Sequence, residues 1–302
     1  MLNSITESTR KQYEGPLKRW KEFTKEENIN LFDPKATEVI KFLTLRYNEG
    51  ASYGTLNSSR SAISLISKND LSKDKLLSRF FRGISKIRPP KAKYSTTWDT
   101  EKVLSFIEDS KDKEDLTLKE LSEITITLLA LATAHRLQTF SFIHIDNIEI
   151  TPTRVRIKIP DLIKNSRPGK AQPVLSLPLL NQRKKVCVAS TILHYLKITK
   201  DIRGDNKKLF ISTTRPYHPV CPQTLGHWIK SLLGKAGINT KEFSAYSTKH
   251  AAISAAYDRG IDINTIIQRA GWSEGSQMFA HFYNRPIERS EDNFAKAVLP
   301  KK

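Results

Sequence analysis

The sequence predicts a mainly α-helical protein with a small antiparallel β-sheet, divided between an all-helical domain and an α+β domain. Three observations carry that expectation. Apolar residues recur at three- and four-residue steps over residues 8–87, 100–134, 188–198, 224–236 and 249–267. Between residues 145 and 177 the period falls to two. Separating the first helical block from the rest is RPPKAKY, residues 88–94, whose Pro-Pro pair cannot continue a helix and favours an extended chain. The expected organisation is therefore a helical domain over residues 1–87, a linker over 88–96, and a second domain over 97–302.

The elements follow in order. Tyr13, Leu17, Trp20 and Phe23 mark a first helix, and Asp33-Pro34 a turn and fresh start. Val39, Phe42, Leu43 and Tyr47 mark a second helix, stopped at Gly50. Leu56, Ser59, Ala62, Ile63 and Ile66 give a third, and Leu77, Phe80 and Phe81 a fourth. In the second domain Thr100 is placed to cap a helix carrying Val103, Leu104 and Ile107. The run LTLKELSEITITLLALATA, residues 116–134, predicts a long buried helix with Arg136 at its end or in the turn after. Alternating Ile145, Ile148, Ile150, Val155, Ile157 and Ile159 predict two or three short strands. A further strand runs through Val174, Leu175 and Leu177, after a turn at Ser166-Arg167-Pro168-Gly169. The helix KHAAISAAYDRG stops at Gly260, a glycine suited to the left-handed residue past a helix end. Asp262 caps a last helix, with Ile263, Ile266 and Ile267 on one face, that stops at Gly271-Trp272.

Fifty Lys and Arg against 31 Asp and Glu leave a formal charge of +19 on 302 residues. A surplus of that size selects a polyanionic partner, nucleic acid first; the alternative is a soluble protein that is merely basic. With 38% apolar residues the chain has enough material for real cores and is not disordered. Cys187 and Cys221 lie in no metal-ligand spacing and are expected to be small buried residues in a reducing compartment. No apolar run reaches the roughly 18–20 residues of a membrane span. The first residues, MLNSITESTRKQYEG, have no apolar core. The chain is expected to be intracellular, and nuclear if its partner is the chromosomal DNA of a eukaryote.

The residues suited to chemistry are scattered. Arg136 behind an apolar helix reads alone as a snorkelling or capping residue. Lys164, just before the Ser-Arg-Pro-Gly turn, either leans into a cleft or faces solvent. Lys249 and His250 open a helix with Tyr246 at its start, where backbone N–H groups favour an anion. Trp272 after Gly271 is a packed corner or an indole donor. Tyr283 before Asn284-Arg285-Pro286 is a nucleophile or an aromatic anchor. Arg88, Lys91 and Lys93 of the linker either touch a phosphate backbone or are solvated spacer residues.

Taken together, arginine, hairpin lysine, a residue pair three apart, Gly-Trp and tyrosine resemble the tyrosine recombinase/integrase family, the phage-integrase-like proteins. The segments HRLQTFSFIHIDNI, DLIKNSRPGKAQPVLSLP and AGW…FAHFYNRP are most similar to DIRS-like retroelement recombinases. The resemblance runs over residues 8–286 and rests on several motifs in order. It implies that residues 1–87 form a helical core-binding domain and 97–302 a catalytic domain, the two closing on a duplex as a C-shaped clamp. Tyr283 would attack a DNA phosphodiester and hold it as a 3′-phosphotyrosyl link. Arg136 would grip the non-bridging oxygens. Lys164 would protonate the leaving 5′-oxygen, with Lys170 as the alternative, and Trp272 would pack on Tyr283 and donate a hydrogen bond. Arg167 and Lys170 would add backbone contacts. Neither metal nor ATP is implied. The resemblance further implies a tetramer on paired sites, with the tail over residues 287–302, anchored by Phe294 and Val298, docking on a neighbouring subunit.

Two positions depart from the family pattern. His-x-x-Arg is here Tyr246-Ser-Thr-Lys249. Lysine keeps a charge but lacks the planar fork that grips two oxygens, and a phenol of pKa about 10 is a poor proton shuttle. His250 is the one neighbour able to substitute, although one residue of helical rotation points it elsewhere. Three readings therefore stand at the sequence level: a DNA strand-exchange enzyme, a recombinase-like fold that grips DNA without cutting it, and a basic helical protein for RNA or protein scaffolding.

Overall fold

The computed structural model describes residues 5–89, 93–163, 166, 169, 171–180, 182–273 and 275–288. The chain divides into two compact units, Met1–Ala92 and Lys93–Lys302.

The first unit is four helices: α1 (Glu7–Glu26), α2 (Ala36–Asn48), α3 (Tyr53–Ile66) and α4 (Lys75–Ile87). Three begin on an oxygen-bearing side chain that satisfies a first-turn amide: Thr6 accepts from Thr9, Ser52 from Thr55 and Asp74 from Leu77. Trp20, Val39, Leu43, Leu56, Ile63 and Leu77 are fully buried between them. Each such large side chain contributes about 1.5–3 kcal/mol on burial. Trp20 stacks on Phe23 and meets Phe42 edge-on, and its indole N–H donates to the Leu31 carbonyl at 3.2 Å.

The second unit is built on α6 (Leu118–Thr133), buried at every residue from Leu121 to Ala130. Most polar atoms within that run find partners, although one oxygen of Glu123 has none among the described residues. The hydroxyls of Ser122, Thr125 and Thr127 donate to carbonyls four residues back, and Glu123 pairs with Lys235 at 2.6 Å. Around α6 pack α8 (Val188–Thr199), α9 (Pro222–Lys235) and α10 (Ser247–Asp258), with α5 (Thr100–Glu108) against α10 and the short α7 (Leu137–Ser141) following α6. A three-stranded antiparallel sheet holds β2 (Ile148–Ile150), β3 (Arg154–Lys158) and β4 (Val174–Pro178) in that order, with Val155 opposite Leu177 and Ile157 opposite Leu175. A second, parallel pair joins β1 (Thr97–Trp98) to β5 (Ile287–Glu288). The expected fold class, mainly helical with a small antiparallel sheet, is what the structure has.

Three local expectations need correcting. Asp99, not Thr100, caps α5: Thr100 is already the first helical residue, and the Asp99 carboxylate accepts from the Glu101 amide at 3.0 Å. Ile145 lies in a 3-10 turn (Ile145–Asn147) rather than a strand, since the chain must first pass the Lys207 carbonyl to which its amide donates. Cys187 is buried, but Cys221 is exposed at the start of α9, ahead of Pro222, its sulfur facing the Thr224 hydroxyl.

Candidate active site

Helix α6 ends on Ala134, a non-glycine residue in the left-handed region at φ 51°. That conformation costs an alanine roughly 1–2 kcal/mol. It breaks the helix so that His135 and Arg136 leave it at an angle, and Arg136 then begins α7 in extended geometry. Both side chains line a cavity of about 120 Å³ together with Ser166, Lys249, Gln268 and Gly271. Lys249, on the first turn of α10, is 4% exposed and donates to the Ala270 carbonyl at 3.3 Å. Burial, with the Arg136 guanidinium second, pushes its ammonium down to about 7. His135 is pushed down to about 4 by burial, then by Lys249, Arg136 and Arg269. The cavity thus gathers basic groups without a facing carboxylate among the described residues.

Beside Lys249, behind the cavity lining, lies an aromatic cluster. Helix α11 (Ile263–Arg269) closes with Gly271 at φ 71°, the Trp272 amide reaching the Ile267 carbonyl and the Gly271 amide that of Gln268. This motif swings Trp272 inward, with its indole N–H buried and without a partner among the described residues. Tyr283 ends a π-helical turn, Phe279–Tyr283, and is 1% exposed. Trp272 lies against it at 4.8 Å, and the Lys249 nitrogen stands 5.2 Å from the Trp272 ring and 5.7 Å from the Tyr283 ring. One stripe of α10 holds Tyr283 along its length. The Tyr246 and Tyr283 hydroxyls share a hydrogen bond of 2.5 Å, the His250 ring stacks on the Tyr283 ring at 4.3 Å, and the Ser254 hydroxyl donates to the Tyr283 carbonyl at 2.8 Å. Burial first, then the Tyr246 hydrogen bond, raises the Tyr283 phenol well above its ordinary range; Arg136 pulls in the other direction.

The structure therefore brings Arg136, Tyr246, Lys249, Trp272 and Tyr283 together. Lys164, Arg167 and Lys170 lie outside the described residues, as do Lys91, Phe294 and Val298. Ile163, Ser166 and Ala171, their described neighbours in sequence, line the cavity. Arg88 folds over the Tyr47 ring and donates to the Ala51 carbonyl at 3.0 Å, and Lys93 donates to the Ser244 hydroxyl at 3.1 Å. Among the described residues no cluster of His, Cys, Asp and Glu could hold a metal ion, and no helix is long and apolar enough to cross a membrane.

The phage integrase family matches residues 96–288, more than half of the chain. The chain belongs to the phage integrase family. Among solved structures, the fold is similar to three DNA complexes of integrases and recombinases. They are the XerH site-specific recombinase on its difH substrate (16% identity, TM-score 0.63, covering 95% of this chain and 78% of that one), a lambda integrase dimer on a core site (14%, 0.54, 95% and 92%), and the Tn1549 transposon integrase with circular intermediate DNA (14%, 0.52, 90% and 87%). No curated protein matches it.

As a phage integrase member the chain departs in detail from what its residues led one to expect. His250 does not point away: it lies flat on Tyr283, because Tyr246 and His250 are four apart and share one helix face. The first amides of α10 are not free for an anion, since Ser247, Thr248 and Lys249 donate to the carbonyls of Ser244, Ala245 and Tyr246. Lys249 does not simply keep the missing arginine's charge, because burial brings its titration to neutrality. Reading the sequence missed His135, Arg269 and Ser254; the four-residue step from His250 to Ser254 was the available signal for the last.

Proposed function

We propose that the chain is a DNA strand transferase acting through a 3′-phosphotyrosyl intermediate, with duplex DNA as partner, an assembly of several copies on paired sites, and a mobile-element origin. The observation that carries the reading is the meeting of Arg136 and Lys249 in one cavity that has no carboxylate among the described residues, with the Trp272 ring and the Tyr283 phenol packed beside Lys249. A scissile phosphate there receives the Arg136 fork on its non-bridging oxygens, the charge of Lys249, and the unused indole N–H of Trp272. The Tyr283 oxygen attacks phosphorus as the bond to the 5′-oxygen breaks. Its proton leaves through Tyr246, which is 45% exposed and so connects the buried phenol to solvent. The 5′-oxygen takes a proton from Lys164, whose neighbours Ile163 and Ser166 line the cavity. The bond energy is kept in the phosphotyrosine, so a free 5′-hydroxyl reverses the step.

A second reading, a chain that grips DNA without cutting it, is favoured by the depth of Tyr283 and by the Tyr246 and Lys249 replacements. A nicked suicide duplex separates the two. A covalent protein–DNA adduct that disappears in Tyr283→Phe supports strand transfer; tight binding with no adduct selects the second. Both require affinity that falls steeply with salt, as Lys and Arg release counterions from phosphates. If affinity is unchanged between low and high salt, duplex DNA is not the partner.

A further inference from the structure

The geometry points to Lys249 as a proton-coupled clamp: it rests as a neutral amine and becomes an ammonium as a DNA phosphate enters the cavity, so that seating the phosphate takes up one proton from solvent. This deepens the reading above and rests on the cavity being the phosphate seat.

The groups facing Lys249 supply the argument. From the end of α6 come His135 and Arg136, with Arg269 of α11 acting on His135. From its own helix comes His250, whose ring meets that of Tyr246, and the Trp272 and Tyr283 rings lie beside the Lys249 nitrogen. None is an anion at neutral pH. An ammonium carries three donors, and the partner found for this one among the described residues is a single carbonyl, Ala270, at 3.3 Å. A cation held that way, nearly out of water and beside a guanidinium, is costly. An amine is not, and a titration near 7 agrees with that. A phosphodiester oxygen in the cavity reverses the balance by adding the anionic acceptor that the described residues lack there. The proton balance is simple: the amine lone pair takes a proton from buffer, and the ammonium donates it as a hydrogen bond to the oxygen. An arginine here stays charged at every working pH, so the coupling belongs to this lysine.

Calorimetric titration of the full chain with a short nicked duplex, in two buffers of different ionisation enthalpy, counts the protons. The wild type is expected to take up close to one proton near pH 8 and few near pH 6, as a group titrating at about 7 requires. In Lys249→Arg binding persists, and the uptake near pH 8 is lost. Equal uptake in wild type and Lys249→Arg overturns the clamp. Carbon-13 NMR of the lysine ε-carbons gives the same test without a variant. One lysine titrating near neutrality should move above about pH 9 when the duplex is added; a lysine that titrates near its ordinary value in the free chain sinks the idea. Arg136→Ala separates the two levels of the argument. If the duplex binds it as tightly as wild type, the cavity is not the phosphate seat. If binding weakens but the wild type takes up no proton near pH 8, the seat stands and the clamp falls.

Discussion

Trp20 and Trp272 are both buried, yet they sit in opposite kinds of interior. Around Trp20 the neighbours are apolar, the rings of Phe23 and Phe42 close on it, and its N–H is spent on the Leu31 carbonyl. Around Trp272 stand a buried lysine and a buried phenol, and its N–H is unspent among the described residues. The first arrangement maximises stability, since every polar atom is satisfied and the rest is packing. The second leaves polar capacity unfilled in a dry place, where a charged visitor gains most from it. The difference separates a core from a site without reference to any motif.

Several substitutions break or sharpen the contrast. The largest effect is expected from Tyr283→Phe, which removes covalent adduct formation entirely while leaving the fold intact, as gel assay and circular dichroism would record. Trp20→Ala should destabilise the helical unit by about 3–5 kcal/mol in urea unfolding, the usual range for a buried tryptophan. Lys249→Met should do the reverse. The folded-state pKa of about 7 lies below the ordinary 10.5. The unfolded chain therefore binds more protons between those values, and wild-type stability rises with pH through that window. Removing the amine abolishes that slope, so the gain over wild type should be larger near pH 6 than near pH 9 by up to about 3 kcal/mol, at the expense of strand cleavage. Trp272→Phe keeps a ring but no donor, and should slow cleavage by about 100-fold with little change in unfolding. The smallest change is Ala134→Gly, expected to add up to about 1 kcal/mol by relieving the left-handed alanine.

What the sequence could and could not disclose follows from the range of the forces involved. Arg136, Trp272 and Tyr283 each read alone as a capping, packing or anchoring residue and were singled out by the order of motifs that resembles the family, whereas α6 was legible because its apolar run is longer than a strand can use. His250 was misjudged because its rotation was reckoned from Lys249; reckoned from Tyr246 it returns to the same face after one turn. The loss of free amides at the start of α10 depends on the turn at Ser244 and Ala245, which no residue type announces. The neutral-range titration of Lys249 depends on walls supplied by three separate segments, and long-range burial leaves no local mark.

The π-helical turn at Tyr283 has one more consequence. Its closing hydrogen bond, from the Asn284 amide to the Phe279 carbonyl at 2.8 Å, spans five residues rather than four. A loop wound that way carries one residue of slack. Ordinary winding would turn a side chain by about 100° around the axis, so that extra residue sets the heading of the phenol, aiming it at the His250 and Trp272 rings and the Tyr246 hydroxyl rather than at solvent.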